Sequence, residues 1–167
     1  MILKGRAWKF NDNISTDLIA PGRYAHLRSN LPELAKHTLE DARADFAPNV
    51  KKGDFVVGSR NFGLGSSREH AAIIIKMCGT SAVIAKSFAR IFFRNCINIG
   101  LPVIEVDTDK IDDGDILELD LEKGVLADVT KGIKFTFPPL PRIMTTILNE
   151  GGMVEYLKRH GHLVLES

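Results

Sequence analysis

Cysteine is scarce in this chain. Cys78 and Cys96 are the only two in 167 residues, and neither belongs to a Cys-x-x-Cys pair or to a Cys/His run with metal-ligand spacing. The chain therefore cannot build a cysteine-ligated cluster by itself, and no metal ligand set is assigned to it. Both thiols read as small buried hydrophobes, and a disulfide is disfavoured. Excess charge is lacking as well. A formal net charge of +1 leaves no global field to draw nucleic acid or an anionic membrane. Long apolar runs are absent, each falling far short of the roughly 20 residues that a membrane-spanning helix needs. The segment from Met1 to Phe10 has no signal-peptide core, so the cytoplasm is the expected compartment. There are no internal repeats and no low-complexity tract. What remains, 44% hydrophobic and 26% charged residues, is ordinary for a globular protein, and the length suits a single domain over residues 1–167.

Against that plain background one stretch stands out: Asn61-Phe62-Gly63-Leu64-Gly65-Ser66-Ser67-Arg68-Glu69-His70-Ala71-Ala72. The β-rich run Asp54-Phe55-Val56-Val57 precedes it and the apolar run Ile73-Ile74-Ile75 follows, so it reads as strand, glycine loop, helix. Gly63 and Gly65 permit the backbone a tight strand-to-helix turn requires. Ser66 with Glu69 three residues on has the form of a capping box, which predicts a helix starting at Ser66. A helix start offers unpaired N–H groups and the positive end of a dipole to an anion. Arg68 adds a planar fork suited to carboxylate or phosphate.

Other glycine-rich sites are excluded by single residues. No Lys-Ser/Thr follows Gly63, so this is not a P-loop. Arg68 stands where a dinucleotide fingerprint has its third glycine. A Gly-x-Ser-x-Gly elbow is absent. A structural turn with a helix cap is the competing explanation, but a cap needs neither Ser67 nor Arg68. An arginine at a helix start also opposes the dipole unless it meets an anion. In isolation, Ser15-Thr16-Asp17 reads as the cap of a short turn, Arg28 and His26 as loop residues, and Arg90 and Arg94 as a solvated helix face. His70 could touch the site or pack elsewhere.

The rest of the chain has a β-α-β-α-β rhythm. Strands are expected at Ile2 to Phe10, Asp54 to Val57, Ala82 to Ala85 and Val103 to Val106. Helices are expected at 66–77 and 88–97, giving parallel pairing with covering helices. Leu31 to Lys36 and Thr38 to Phe46 read as helical, and Arg23 to Asn30 as an exposed loop. From Gly114 the pattern alternates at Ile116 to Leu121 and at Lys134 to Phe137, predicting an antiparallel section with one wet face. Two helices, Ile143 to Asn149 and Met153 to Arg159, close the chain around Gly151-Gly152.

Three segments in this order carry a resemblance: Asn13-Ile14-Ser15-Thr16-Asp17-Leu18-Ile19-Ala20-Pro21-Gly22, the Gly/Ser stretch, and Ser87-Phe88-Ala89-Arg90-Ile91-Phe92-Phe93-Arg94-Asn95 with Asn98-Ile99-Gly100-Leu101-Pro102. Together they resemble the small subunits of 3-isopropylmalate dehydratases, which are similar to the swivelling C-terminal domain of aconitase. The likeness extends over essentially the whole chain. It implies an α/β fold of the swivelling β/β/α type, with a parallel core, an added antiparallel section and C-terminal helices.

The resemblance also implies a hydro-lyase isomerising 2- and 3-isopropylmalate by dehydration and rehydration, in leucine biosynthesis. By position, Ser66 would be the proton-abstracting base. Ser67 and Arg68 would hold substrate carboxylate, Asp17 would line the same pocket, and Arg28 is the nearest match to a further carboxylate-binding arginine. Tyr24, His26 and Leu27 fall in the loop to which the family assigns substrate specificity. The family's [4Fe-4S] cluster, a Lewis acid toward the migrating hydroxyl, would belong to a separate large subunit, giving a heterodimer or heterotetramer active only when assembled. Small subunits of homoaconitase or of methylmalate and dimethylmalate dehydratases are the alternative within the family. A non-catalytic carboxylate-binding or scaffold module is the alternative outside it.

Overall fold

The computed structural model describes residues 2–163. Strand β1 (Ile2–Lys9) is the seam of its sheet. On one edge lie three short parallel strands, β2 (Phe55–Val57), β3 (Ala82–Ala85) and β4 (Val103–Glu105). On the other lie β5 (Ile116–Asp120), β6 (Val125–Asp128) and β7 (Ile133–Thr136), all antiparallel. The resulting order is β4-β3-β2-β1-β5-β6-β7, with Trp8 opposite Val56 on one side of the seam and Gly5 opposite Leu117 on the other.

The sequence pattern explains the change of character across β1. Every residue of β2 and β3 is buried, as parallel strands covered on both faces require. In β5 burial alternates, leaving one face partly wet. Two apolar clusters result. Trp8, Val56 and Val83 face the helices, whereas Ala7, Phe55, Ile84, Leu117 and Leu119 fill the opposite side. Asp54 joins the strands at their base: its carboxylate accepts from Trp8 Nε1 and Lys51 N at 2.9 Å each, and from Arg6 N at 3.3 Å.

The helices are α1 (Thr16–Ile19), α2 (Leu31–Ala35), α3 (Phe46–Asn49), α4 (Glu69–Met77), α5 (Arg90–Asn98), α6 (Arg142–Asn149) and α7 (Met153–His160). α4 and α5 follow β2 and β3, as the alternating rhythm predicts. α5 begins at Arg90 rather than Phe88, because Phe88 and Ala89 pair with the preceding loop: Ala89 N donates to Phe62 O at 2.9 Å. Cys96 is buried in α5, where desolvation holds its thiol well above the ordinary range. Cys78 Sγ donates to Ala35 O.

Several expectations are corrected. Residues 38–45 form turns instead of a helix: Thr38 spends its hydroxyl on Ala35 O at 2.7 Å, and Leu39 takes φ 58°, outside the helical region. The segment after Pro21 is a 3₁₀ helix, Gly22–Leu27, kinked at Tyr24. Strand β6 lies where no strand was expected. Most consequentially, α4 starts at Glu69, three residues after Ser66, and its N-cap is Arg68 with no side-chain capping bond.

Candidate active site

The site forms where the connections after β2 and β3 leave the carboxyl ends of adjacent parallel strands, the end at which open α/β sheets place ligands. Three backbone bonds lace the Ser-Thr-Asp segment to the glycine loop. Asn13 N donates to Arg60 O, Gly63 N to Ile14 O and Thr16 N to Leu64 O, at 2.8, 2.7 and 2.8 Å. Phe62 N donates to Ser87 O at 3.0 Å, which ties in the third segment. Residues far apart in sequence are thus held together by main chain, and their side chains are carried to one place.

Gly63 is demanded by both conformation and space. Its φ is +85°, and a Cβ would lie 2.1 Å from the Phe92 ring. That ring belongs to an aromatic floor with Phe62 and Phe88, whose centroids stand 5.5 and 6.3 Å away. Burying such a ring contributes roughly 2–3 kcal/mol. The glycine lets the loop pass directly over it.

Above the floor is a cavity of about 200 Å³ lined by Thr16, Gly63, Gly65, Ser66, Ser67, Arg68, Ala89, Arg90, Ile91, Phe92 and Asn95. Beside it a shallower depression is bordered by Arg28, Ser66, Ser67, Arg68, Glu69 and His70. Ser66 and Ser67 are exposed, and their hydroxyls have no protein partner among the described residues. This follows from the corrected helix start. Ser66 O accepts from Arg68 N at 2.8 Å, a turn too tight to be helical, so neither hydroxyl is spent on a cap.

Arg68 reaches back across the loops. Its Nη1 donates to Asp17 Oδ1 at 3.0 Å and to Ala20 O at 3.1 Å. The anion it meets within the chain is therefore Asp17, while its Nε and Nη2 have no partner among the described residues. Asp17 Oδ1 also accepts from Gly22 N at 3.1 Å. Ser15 caps α1, its Oγ accepting from Leu18 N at 3.1 Å, so the turn-capping reading of that segment holds for Ser15. The imidazole of His70 is pushed below its ordinary pKa, first by burial and then by the positive charges of Arg28 and Arg68.

The sequence-predicted residues divide cleanly. Ser66, Ser67 and Arg68 line both hollows and Arg28 borders the depression, whereas Asp17 lines neither and meets the site only through its bond to Arg68 Nη1. Tyr24, His26 and Leu27 line neither hollow. Tyr24 stacks on His37 at 3.8 Å, Leu27 packs on the main core, and His26 is exposed. Arg90, Asn95 and Thr16 line the cavity without having been expected there. Arg90 carried a usable signal, since it opens the helix that follows the next parallel strand.

No group of three or more His, Cys, Asp or Glu residues among the described residues could hold a metal ion. The donors present do not fit an iron–sulfur cluster: one thiol is sealed in α5 and the other is turned to a carbonyl in α2. No helix of the described residues is long and apolar enough to cross a membrane.

The mixed sheet, with its loop at the carboxyl ends of the parallel strands, places the chain in the class of aconitase C-terminal domains. The model of that family, the aconitase C-terminal domain, matches residues 7–109. The chain is 61% identical over 163 residues to 3-isopropylmalate dehydratase small subunit 2 of Archaeoglobus fulgidus, covering 98% of this chain and 99% of that protein. It is 63% identical over 161 residues to small subunit 1 of Thermotoga maritima, covering 96% and 97%. The crystal structure of 3-isopropylmalate dehydratase (LeuD) from Methanocaldococcus jannaschii superposes with a TM-score of 0.92 at 48% identity, over 96% of each chain. The chain belongs to the family of 3-isopropylmalate dehydratase small subunits.

Proposed function

We propose that this chain is the small subunit of a hydro-lyase that interconverts 2-isopropylmalate and 3-isopropylmalate by dehydration and rehydration, serving leucine biosynthesis. The observation that carries the proposal is the convergence of two unpartnered serine hydroxyls and a half-engaged arginine on one small cavity. Ser66 takes the proton next to a substrate carboxylate. A serine is a poor base in water, but beside Arg68 and in a site closed by a partner its alkoxide is stabilised. The free Nε–Nη2 edge of Arg68 offers two parallel hydrogen bonds to a carboxylate whose oxygens gain charge as the proton leaves. Ser67 contributes a further donor, and Arg28 binds a carboxylate at the mouth. Asp17 orients Arg68 from behind.

The names of the relatives support a larger partner subunit, and the proposed [4Fe-4S] cluster resides there. This chain's own part is proton transfer and carboxylate binding. Alone it is inert.

One observation favours a second reading. Of the loop that follows Pro21-Gly22, the charged Arg28 reaches the depression while the apolar Leu27 turns into the core. A substrate with an extra carboxylate, such as homoaconitate, would use that charge. Anaerobic reconstitution with the large subunit, followed by ultraviolet assays across isopropylmalate, homoaconitate, methylmalate and dimethylmalate, decides between them. Fastest turnover of isopropylmalate is expected. Turnover of homoaconitate with none of isopropylmalate overturns the assignment, and assembly without turnover of any acid favours a non-catalytic module.

A further inference from the structure

Thr16 sits where the two loops of the site cross, and it is 3% exposed. Its backbone N–H donates to Leu64 O at 2.8 Å, and its Oγ1 donates to Ser66 O at 3.0 Å. The two bonds bracket Gly65, whose φ is +108° and whose added Cβ would stand 3.1 Å from Thr16 Oγ1. Ser66 O also accepts from Arg68 N at 2.8 Å, so the carbonyl has two donors for its two lone pairs. A carbonyl fixed on both sides fixes the plane of the Ser66–Ser67 peptide. That plane sets the direction of the Ser66 side chain and of the Ser67 N–H.

The hydroxyl has no other task in view. α1 takes its cap from Ser15 Oγ, not from Thr16. A β-branched side chain is stiff at χ1, which suits a strut better than serine does. Ser66 itself is exposed and its hydroxyl lacks a protein partner, so its orientation must come from the main chain beneath it.

We propose that Thr16 is a positioning residue for Ser66: through its hydroxyl on the Ser66 carbonyl it holds the serine in the orientation that proton abstraction requires. The proposal rests on the reading of Ser66 as the base. Misplacing a reacting group by about 1 Å can cost on the order of a hundredfold in rate. The effect therefore falls on kcat, with substrate affinity, which Arg68 and Ser67 supply, largely kept.

The test uses the enzyme reconstituted anaerobically with its large subunit and assayed on the hydroxyacid it turns over fastest. Thr16→Val removes the hydroxyl at nearly constant shape, Thr16→Ser keeps it, and Ser66→Ala is the reference. Thermal midpoint and subunit affinity are measured alongside. The expected result is a kcat roughly ten- to a hundredfold lower in Thr16→Val, with KM within about threefold, and recovery of the greater part of kcat in Thr16→Ser. Thr16→Val with kcat within about twofold of wild type overturns the proposal. So does Thr16→Ser as impaired as Thr16→Val, or a loss that only tracks dissociation or unfolding. If Ser66→Ala is inactive while Thr16→Val is normal, the positioning role alone fails. If Ser66→Ala turns over normally, the base assignment fails and the positioning role with it.

Discussion

Arg68 Nη1 lies 3.0 Å from Asp17 Oδ1, so the charge of the glycine loop is held by the aspartate of the Ser-Thr-Asp segment, 51 residues away in sequence. The pair is asymmetric: the Arg68 side chain is 24% exposed and that of Asp17 67%. An ion pair with one partner so open contributes little to folding, about 0–1 kcal/mol. Its value lies in orientation, because it occupies Nη1 alone and leaves Nε and Nη2 without a partner among the described residues.

Asp17→Ala is therefore expected to separate binding from stability. Unfolding free energy changes by less than about 1 kcal/mol. KM of the reconstituted enzyme rises about tenfold, with kcat falling less. Urea denaturation and steady-state kinetics on one preparation check both halves. An unchanged KM would show that Arg68 does not need Asp17 to engage substrate.

Gly63→Ala should fail in a different way. The added methyl meets the Phe92 ring, and φ +85° is costly for alanine. Strain and overpacking together are expected to remove about 3 kcal/mol of stability and to displace the loop. A loss below about 0.5 kcal/mol in chemical denaturation would mean that the aromatic floor yields freely.

At the far side of the sheet, Asp128 is wholly buried beside Asp115, and its pKa is pushed up to about 6, first by desolvation and then by Asp115. Its Oδ1 accepts from Lys131 N at 3.1 Å, whereas Oδ2 is buried without a hydrogen-bond partner among the described residues, a position that suits a protonated carboxyl better than a carboxylate. A carboxyl raised above its unfolded value of 3.8 contributes stability that is complete below about pH 3.8 and lost as pH rises through about 6. Asp115 is shifted down and opposes part of this. Asp128→Asn, which keeps a donor toward Asp115 at every pH, should stabilise the protein on the order of 1 kcal/mol at pH 7.5. Near pH 4 the gain should vanish. Denaturation midpoints at the two pH values check the sign, and an equal effect at both would contradict a raised Asp128 carboxyl.

What the sequence revealed and what it hid follow from the range of the forces involved. β2 and β3 are legible because a fully buried parallel strand must be apolar throughout, and polar or glycine residues bound each run. β6, Val125–Asp128, is hidden because four residues alternating Val-Leu-Ala-Asp carry no pattern until β5 and β7 pair with them. The capping box at Ser66 and Glu69 is a sound local signal overruled by a distant residue. Once Thr16 takes the Ser66 carbonyl, the chain turns before it can wind, and the helix waits until Glu69. The same tertiary bond that spoils the local expectation frees the hydroxyls. The surroundings of Tyr24 and Leu27 are not legible in the sequence, because Tyr24 stacks on His37 and Leu27 packs on the main core, contacts between segments that no local pattern announces.

The central claim is that Ser66 is the base this chain lends to a shared site. Single-turnover dehydration by enzyme reconstituted with Ser66→Ala, with subunit affinity measured on the same material, tests it most directly. The expected result is a rate at least about a thousandfold lower with assembly unchanged, as loss of a positioned acid–base group in an electrostatically prepared site requires. A rate within about tenfold of wild type would contradict it and move proton abstraction to another residue.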